Sequence, residues 1–181
     1  DAVEEAYAAG LFGRNILGSD FSCDIVVYRG AGAYVAGEAS GLISSLEGKK
    51  GYPRNRPPRL TVRGLYQRPT VVNNVESLSN IAWIISNGAD AFKAVGTPKS
   101  PGTRLFSVSG HINRPGVYEV ELGYPWMKFL DEDCGGVPHG RAIKCVVPGG
   151  VSSKVLTGAD IANLKLSHED LWDAGSTLGS G

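Results

Sequence analysis

The chain has few cysteines, no excess charge of either sign and no long apolar run, and each shortage excludes a class of protein. Its 181 residues include only Cys23, Cys134 and Cys145, without the two-residue spacing of metal or redox pairs. We therefore expect neither a disulfide framework nor structural zinc. Lys plus Arg and Asp plus Glu both number 18, so no overall field attracts nucleic acid or anionic lipid, and binding must depend on local sites.

Membrane insertion and secretion are also not indicated. No stretch approaches the roughly 18 consecutive apolar residues of a membrane span, and no basic and apolar leader opens the chain. An apolar content of 42% is typical of a globular protein, which we expect in the cytoplasm. Residue 1 is Asp1, helical spacing is already present at Val3, Ala6 and Tyr7, and the last residues form a glycine-rich turn. We therefore expect the chain to be an internal part of a longer protein.

The first half alternates strand-like and helix-like segments, which predicts an α/β domain. Residues 24–28 are apolar and β-branched and predict a short buried strand. Leu42, Ile43 and Leu46 predict the apolar face of a short helix that Gly48 ends. Residues 51–72 contain four prolines and five arginines without periodicity, which predicts a long surface loop of the kind that is often functional.

A second helix is predicted after this loop. Asn73 is a suitable N-cap with Glu76 three residues later, and Asn87 and Gly88 end the pattern. One apolar stripe is expected to face the core; it consists of Val75, Leu78, Ile81, Ala82 and Ile85.

The pattern changes near residues 99–102, a plausible linker between two domains. Residues 105–109 and 117–122, joined by a turn at 113–116, predict a β-hairpin. A short helix from Trp126 to about Glu132 and a third strand over 142–147 complete the pattern, which is typical of a small α+β unit.

Three features could carry chemistry, and each has a structural interpretation of similar weight. The glycine-rich loop 30–37 lies between strand and helix, where backbone N–H groups can meet a phosphate or a flat ring, but it lacks both phosphate-loop signatures, so a plain connection fits equally. Glu38 could act in a site or cap the helix that follows. Asn73 and Asn74 could bind a heterocycle through their amides, although capping suits Asn73.

The histidines His111, His139 and His168 have no spacing relation to one another or to a carboxylate pair. We therefore predict that they are structural or exposed and expect neither a metal cluster nor a hydrolytic triad. From the residues alone, the chain is a two-domain protein with a possible nucleotide or flavin loop.

The first half contains three ordered motifs, at residues 29–38 (RGAGAYVAGE), 45–49 (SLEGK) and 68–78 (RPTVVNNVESL). They resemble the NADH-binding flavoprotein subunit of respiratory complex I and the diaphorase subunits of NAD-dependent formate dehydrogenases and hydrogenases. Residues 107–118 (SVSGHINRPGVY) and 147–150 (VPGG) resemble the soluble-ligand-binding β-grasp (SLBB) domain of that subunit, and residues 174–181 resemble its glycine turn toward the flavin.

The resemblance implies the C-terminal part of an α/β FMN- and NADH-binding domain over 1–100, an α+β β-grasp (SLBB) domain over 101–160 and the start of a connector toward an iron–sulfur domain over 161–181. It implies hydride transfer from NADH to FMN, followed by electron transfer to iron–sulfur clusters. Glu38 is the implied catalytic residue. The implied cofactor-binding residues are Gly32, Tyr34, Gly37, Glu38, Arg56, Arg59, Val72, Asn73 and Asn74.

The resemblance also implies other subunits of a multi-subunit redox complex, including a [2Fe–2S] partner, and a peripheral place on the cytoplasmic face of a membrane. The family's FMN-phosphate loop and its [4Fe–4S] cysteines have no counterpart among these residues, so we expect this chain alone to be inactive. The alternative is a non-catalytic SLBB module that docks subunits or binds a ligand.

Three positions depart from the family pattern. Ala39 replaces one of two usual consecutive glutamates, Arg59 stands where an aromatic ring often stacks on adenine, and Arg56 stands where lysine is common. The resemblance thus leaves the choice between NADH and NADPH open.

Overall fold

A computed structural model describes residues 1–30 and 34–179. The chain divides into two compact units, one formed by Asp1–Asn74 and the other beginning at Val75. The predicted linker at 99–102 therefore lies inside the second unit, while the family-based domain limits at 100 and 160 stay a prediction. Together the units contain helices and two small antiparallel sheets.

The first unit is built from short helices and turns. Helix α1 spans Ala2–Ala8 and α2 spans Ala39–Leu46, with 3-10 turns at Ile16–Gly18, Tyr34–Gly37 and Leu65–Gln67. Helix α2 confirms the prediction from Leu42, Ile43 and Leu46. Ile43 is only 1% exposed and lies among buried serines of the same helix, so the buried face of α2 is largely small and polar.

The predicted strand over 24–28 is wrong. These residues are irregular, Val26 is 86% exposed, and the N–H of Ile25 donates to the Tyr7 hydroxyl at 2.9 Å instead of to a neighbouring strand. A β-branched run favours extended backbone, but a strand exists only where another strand completes its hydrogen bonds. In the described part of this unit, the only bridge is the isolated pair Gly13 and Cys23, which ends just before the run.

Helix α3 (Val75–Asn87) opens the second unit and is followed by α4 (Ala89–Lys93). The extent of α3 confirms the prediction, but its apolar stripe is not buried: none of its residues is buried, and Ile85 is 79% exposed. Periodicity shows that one face is apolar and does not ensure that the described residues supply a surface to cover it. The Asn73 cap stays a prediction.

The predicted hairpin is confirmed. Strands β1 (Thr103–Val108) and β2 (Gly116–Glu121) pair antiparallel, with Phe106 opposite Tyr118. Helix α5 (Trp126–Lys128) continues into a π-helical turn, Phe129–Asp133, in agreement with the predicted helix. Phe129 is 1% exposed, and its ring meets Phe106 and Tyr118 at centroid distances of 6.0 and 5.5 Å. The hairpin therefore packs one face against this helix.

The remaining segments close the same core. The predicted third strand is shorter than expected, since β3 covers only Cys145–Val146 and pairs with β4 (Leu156–Thr157). Helices α6 (Gly158–Ile161) and α7 (His168–Asp173), for which the sequence analysis made no prediction, follow. The core holds Val120, Leu122, Trp126, Phe129, Leu130, Cys134, Leu156, Ile161, Leu166, Leu171 and Leu178.

Side-chain caps explain where the two last helices begin. The Thr157 hydroxyl accepts from the Asp160 N–H at 3.2 Å, and the Ser167 hydroxyl accepts from the Asp170 N–H at 3.1 Å. Each therefore satisfies an N–H that the helix itself leaves unpaired.

The described cysteines are free thiols: Cys23 is half-buried, Cys134 is buried and Cys145 is exposed. Among the helices of residues 1–30 and 34–179, none is long and apolar enough to cross a membrane.

Candidate functional site

Four of the positions discussed above meet at one cavity of the first unit. Its volume is about 580 Å³, and we call it the arginine cavity. The start of α2 and the loop 51–72 form it, and its lining residues are Ala39, Arg56, Pro57, Arg59, Leu60, Thr61, Thr70, Val71 and Val72.

Glu38 lies beside this cavity as the N-cap of α2. Its carboxylate accepts hydrogen bonds from the Ser40 hydroxyl, from the Gly41 N–H at 2.8 Å and from the Arg56 guanidinium at 3.0 Å. These donors, Ser40 first, hold the pKa of Glu38 below its usual value. The carboxylate is therefore ionised at neutral pH, so it accepts hydrogen bonds and has no proton to donate. The capping interpretation is confirmed.

Arg54 attaches the loop to α2, a role that the sequence analysis missed. Its backbone N–H donates to the Ser40 hydroxyl at 2.8 Å, its Nε donates to the Ser44 hydroxyl at 3.1 Å, and its guanidinium lies 2.9 Å from the Glu47 carboxylate. Glu47 lies at the end of the predicted helix and Arg54 in the predicted loop. Their contact could not be predicted, because sequence spacing does not fix the distance between a helix end and an irregular loop.

Glu47 joins the far part of the loop to the same point. Its carboxylate accepts from the Tyr66 N–H at 2.9 Å and pairs with Lys49 at 2.8 Å. Lys49, then the Tyr66 N–H and Arg54, lower the pKa of Glu47 from 4.5 to about 2. Because its side chain is only 5% exposed, Glu47 is an inner anchor of the loop.

A tight turn then returns the chain to the cavity. The Gly64 N–H donates to the Arg68 carbonyl at 2.8 Å, and the Thr70 N–H donates to the Leu60 carbonyl at 3.0 Å. A Cβ on Gly64 would lie 2.3 Å from the Cβ of Thr70, so the turn requires glycine. This closure places Val72 in the cavity lining with Arg59.

The other predicted site residues are distributed around this arrangement. Tyr34, which is 77% exposed, and Gly37 lie in the 3-10 turn before Glu38. Asn73 and Asn74 are exposed and directly follow Val72 without lining the cavity. Gly32 lies outside the described residues. The assignment of these residues to a cofactor stays a prediction.

The cavity can hold an anion. Its lining residues include two arginines and no acidic residue. Arg56 is paired with Glu38, whereas in the part of the chain that the structure describes no carboxylate lies within 4.0 Å of the Arg59 guanidinium. A volume near 580 Å³ suits a ligand of ordinary small-molecule size. The chemistry therefore favours a phosphate-bearing ligand, which guanidinium groups bind bidentately.

Known proteins resemble the chain over most of its length. Residues 1–83 match the Nuo51 FMN-binding domain. The F subunit of the NADH-quinone oxidoreductase of Mycobacterium tuberculosis is 49% identical over 180 residues, which are 99% of this chain and 40% of that protein. The corresponding protein of Rickettsia bellii is 43% identical over 181 residues, 99% of this chain and 43% of its own length. The chain thus spans about two fifths of these curated relatives.

The chain is also similar to part of a solved structure. NAD⁺-reducing [NiFe]-hydrogenase in the H2-reduced state contains a chain that matches with a TM-score of 0.75 and 39% sequence identity. The match covers 88% of this chain and 26% of that chain.

Proposed function

We propose that the chain belongs to the family of NADH-quinone oxidoreductase flavoprotein subunits. It would form part of a subunit that transfers hydride from NADH to FMN and passes electrons to iron–sulfur clusters. The observation that carries the proposal is the arginine cavity, where residues from two separate segments, Ala39 and the pair Arg56 and Arg59, line a space of about 580 Å³. FMN, when bound, supplies hydride acceptance and one-electron release.

The nucleotide would interact mainly with charged side chains. Arg59 would bind its phosphates, since its guanidinium has no described carboxylate within 4.0 Å. Arg56 would do so while it remains paired with Glu38 at 3.0 Å. Glu38 would accept hydrogen bonds from the nicotinamide nucleotide as a fixed anion and would not donate a proton, because its neighbours lower its pKa. Its proposed catalytic role is therefore one of orientation and electrostatics.

The flavin would contact the turn before α2 and the end of the loop. Gly37 lets backbone approach a flat ring closely, and Tyr34 is exposed beside it. Val72 would lie against the ring, and Asn73 and Asn74 would bind its polar edge or ribityl chain. Their amides fit this ligand because each both donates and accepts hydrogen bonds, and both residues are exposed. Gly32 belongs to the same proposed contact.

For the second half, we propose an SLBB-type β-grasp domain over residues 101–160, between the FMN- and NADH-binding part at 1–100 and a connector at 161–181. The order of hairpin β1–β2, helix α5 and strand β3 supports it. In the whole protein, a [4Fe–4S] cluster bound outside these residues and partner subunits, one with a [2Fe–2S] cluster, would receive the electrons. Such a protein would lie in the cytoplasm, peripheral to a membrane through its partners.

A chimaera tests the proposal. Residues 1–181 replace the matching segment of the Mycobacterium tuberculosis relative, and FMN content and NADH-dependent ferricyanide reduction are measured. We expect both to be retained, and Arg59→Gln to raise the KM for NADH about tenfold through a lost charged contact. Arg14→Gln, a matched change at an exposed arginine outside the cavity, should change nothing. A chimaera that folds and binds FMN but does not oxidise NADH would contradict the proposal.

A further inference from the structure

A second cavity, in the second unit, has a composition that the proposed redox function does not use. It measures about 500 Å³ and lies between the end of β1 and the segment that leads into β3. We call it the β1–β3 cleft, and its lining is Val108, Ser109, His111, Ile112, Leu130, Val137, Arg141, Ala142, Ile143, Lys144, Cys145 and Val146.

The pairing of the strands explains why this space exists. Strand β1 pairs with β2 and β3 pairs with β4, in two separate sheets. Among the described residues, no strand ladder therefore joins β1 to β3. The floor of the cleft consists of its half-buried and buried apolar residues, Val108, Ile112, Leu130, Val137, Ile143 and Val146. Leu130 is only 5% exposed. Covering such a floor with an apolar ligand removes apolar surface from water, which favours binding.

The rim of the cleft is cationic. It carries Arg141 and Lys144, with the His111 ring beside Arg141, and no acidic residue contributes to the lining. The Arg141 Nη2 atom lies 3.5 Å from the His111 Nε2 atom, and the Arg141 Nε donates to the Pro138 carbonyl at 3.3 Å. In the residues that the structure describes, no carboxylate lies within 4.0 Å of the Arg141 or Lys144 nitrogens. These charges therefore lack a protein counter-ion.

We propose that the β1–β3 cleft binds a small organic anion, an aromatic or aliphatic carboxylate whose apolar body lies on the floor and whose charged end lies between Arg141 and Lys144. The volume is in the range of small-molecule sites, and the arrangement of a mostly apolar lining with a few converging polar groups is typical of them. A guanidinium recognises a carboxylate by paired hydrogen bonds, which a neutral or cationic ligand cannot accept in the same way. The site shares no residue with the arginine cavity.

Three ligands with the same aromatic ring and different charges distinguish the contribution of charge to binding in the cleft from that of apolar contact. Protein of residues 1–181 is titrated by isothermal calorimetry with 2-naphthoate, with the neutral 2-naphthylmethanol and with the cationic 2-naphthylmethylammonium. We expect 2-naphthoate to bind most tightly and the ammonium compound most weakly. Equal affinity for the anion and the neutral compound would overturn the proposal, because it would reduce the cleft to an unselective apolar surface.

Two variants and one control locate the binding. Arg141→Gln and Lys144→Gln should each weaken 2-naphthoate binding about fivefold, the upper range for one exposed ionic contact, while 2-naphthylmethanol binding stays constant. Lys165→Gln removes one positive charge from another exposed position of the same unit and should leave both affinities unchanged. Melting curves show whether each variant is folded. An equal loss in Lys165→Gln, or no loss in either rim variant, would show that the anion binds elsewhere.

Discussion

The Glu47 carboxylate lies 2.9 Å from the Arg54 guanidinium, and this ion pair joins the end of α2 to the arginine-rich loop. The Tyr66 N–H donates to the same carboxylate from the far part of the loop. One side chain thus holds three segments together. Glu47 therefore restrains the loop that carries Arg56 and Arg59, although it does not itself line the cavity.

The anchor predicts a specific acid dependence of stability. The pKa of Glu47 is lowered from 4.5 to about 2 in the fold, so the ionised form is the stabilising one. Its contribution is complete above pH 4.5 and is lost as the pH falls toward 2. Glu47→Gln should therefore lower the melting temperature at pH 7, and the difference from the unchanged protein should shrink as the pH approaches 2. Circular dichroism melts across this range measure it. Glu5→Gln, at an exposed carboxylate, should show no such difference, and a pH-independent effect of Glu47→Gln would refute the ionic explanation.

Gly149 should not tolerate a side chain. A Cβ there would lie 2.5 Å from the backbone carbonyl carbon and oxygen of Leu178, and the backbone of this segment cannot yield as a flexible side chain can. Gly149→Ala should therefore lower the free energy of unfolding by about 1–3 kcal/mol, as overpacking does. Urea denaturation measures the change. Gly37→Ala is the matched control, since a Cβ at Gly37 meets nothing within 4 Å; a similar loss in both variants would show that the clash at Gly149 is not its cause.

Asn74 tests the proposed flavin contact in the chimaera. If its amide pairs with the flavin, Asn74→Ala leaves a polar edge unsatisfied and should weaken FMN retention by about 1–3 kcal/mol. FMN released during dialysis is quantified by fluorescence. Asn163→Ala, at another exposed asparagine, is the control. Unchanged flavin content in Asn74→Ala would remove this residue from the proposed site.

Protein of residues 1–181 without its chimaeric partner should hold FMN much more weakly than the chimaera. The phosphate of a ligand such as FMN commonly provides much of the affinity through a glycine-rich helix N-terminus, and no such phosphate loop was identified in the chain. Flavin fluorescence quenching compares the two proteins. Micromolar binding by residues 1–181 alone would show that this expectation is wrong.

Ala39 and Arg59 predict a reduced discrimination against NADPH. A carboxylate near the ribose repels the additional 2′-phosphate of NADPH, and alanine removes this repulsion. Arg59 can both stack on adenine and bind phosphate. Both residues line the arginine cavity, so their effects should combine.

In the chimaera, Ala39→Glu with Arg59→Phe should increase the preference for NADH over NADPH by about 1–3 kcal/mol, the range for charged contacts that are partly removed from water. The ratio of kcat/KM for the two nucleotides measures it. Arg14→Phe controls for the loss of a surface charge. An unchanged ratio in the double variant would place both residues away from the 2′ position.

The elements that depend on local signals could be predicted from the amino-acid sequence. The apolar spacing in α2 and α3, the turn between β1 and β2, and the capping position of Glu38 each depend on residues within a few positions of one another, and all of these elements are present. The ordered motifs also indicated the resemblance to NADH-quinone oxidoreductase F subunits, because they record residue identities and need no coordinates.

Which apolar surfaces are covered and which distant residues meet could be seen only in the three-dimensional arrangement of the chain. Residues 24–28 have the composition of a strand, yet no strand of the described chain pairs with them. The apolar stripe of α3 has the spacing of a buried helix face, yet it is exposed because no described surface covers it. Arg54 and Glu47 are linked through an irregular loop, where no repeating geometry converts sequence spacing into distance. Hydrogen-bond pairing, burial and ion pairing between remote segments depend on where the rest of the chain lies, and this is why local patterns could not predict them.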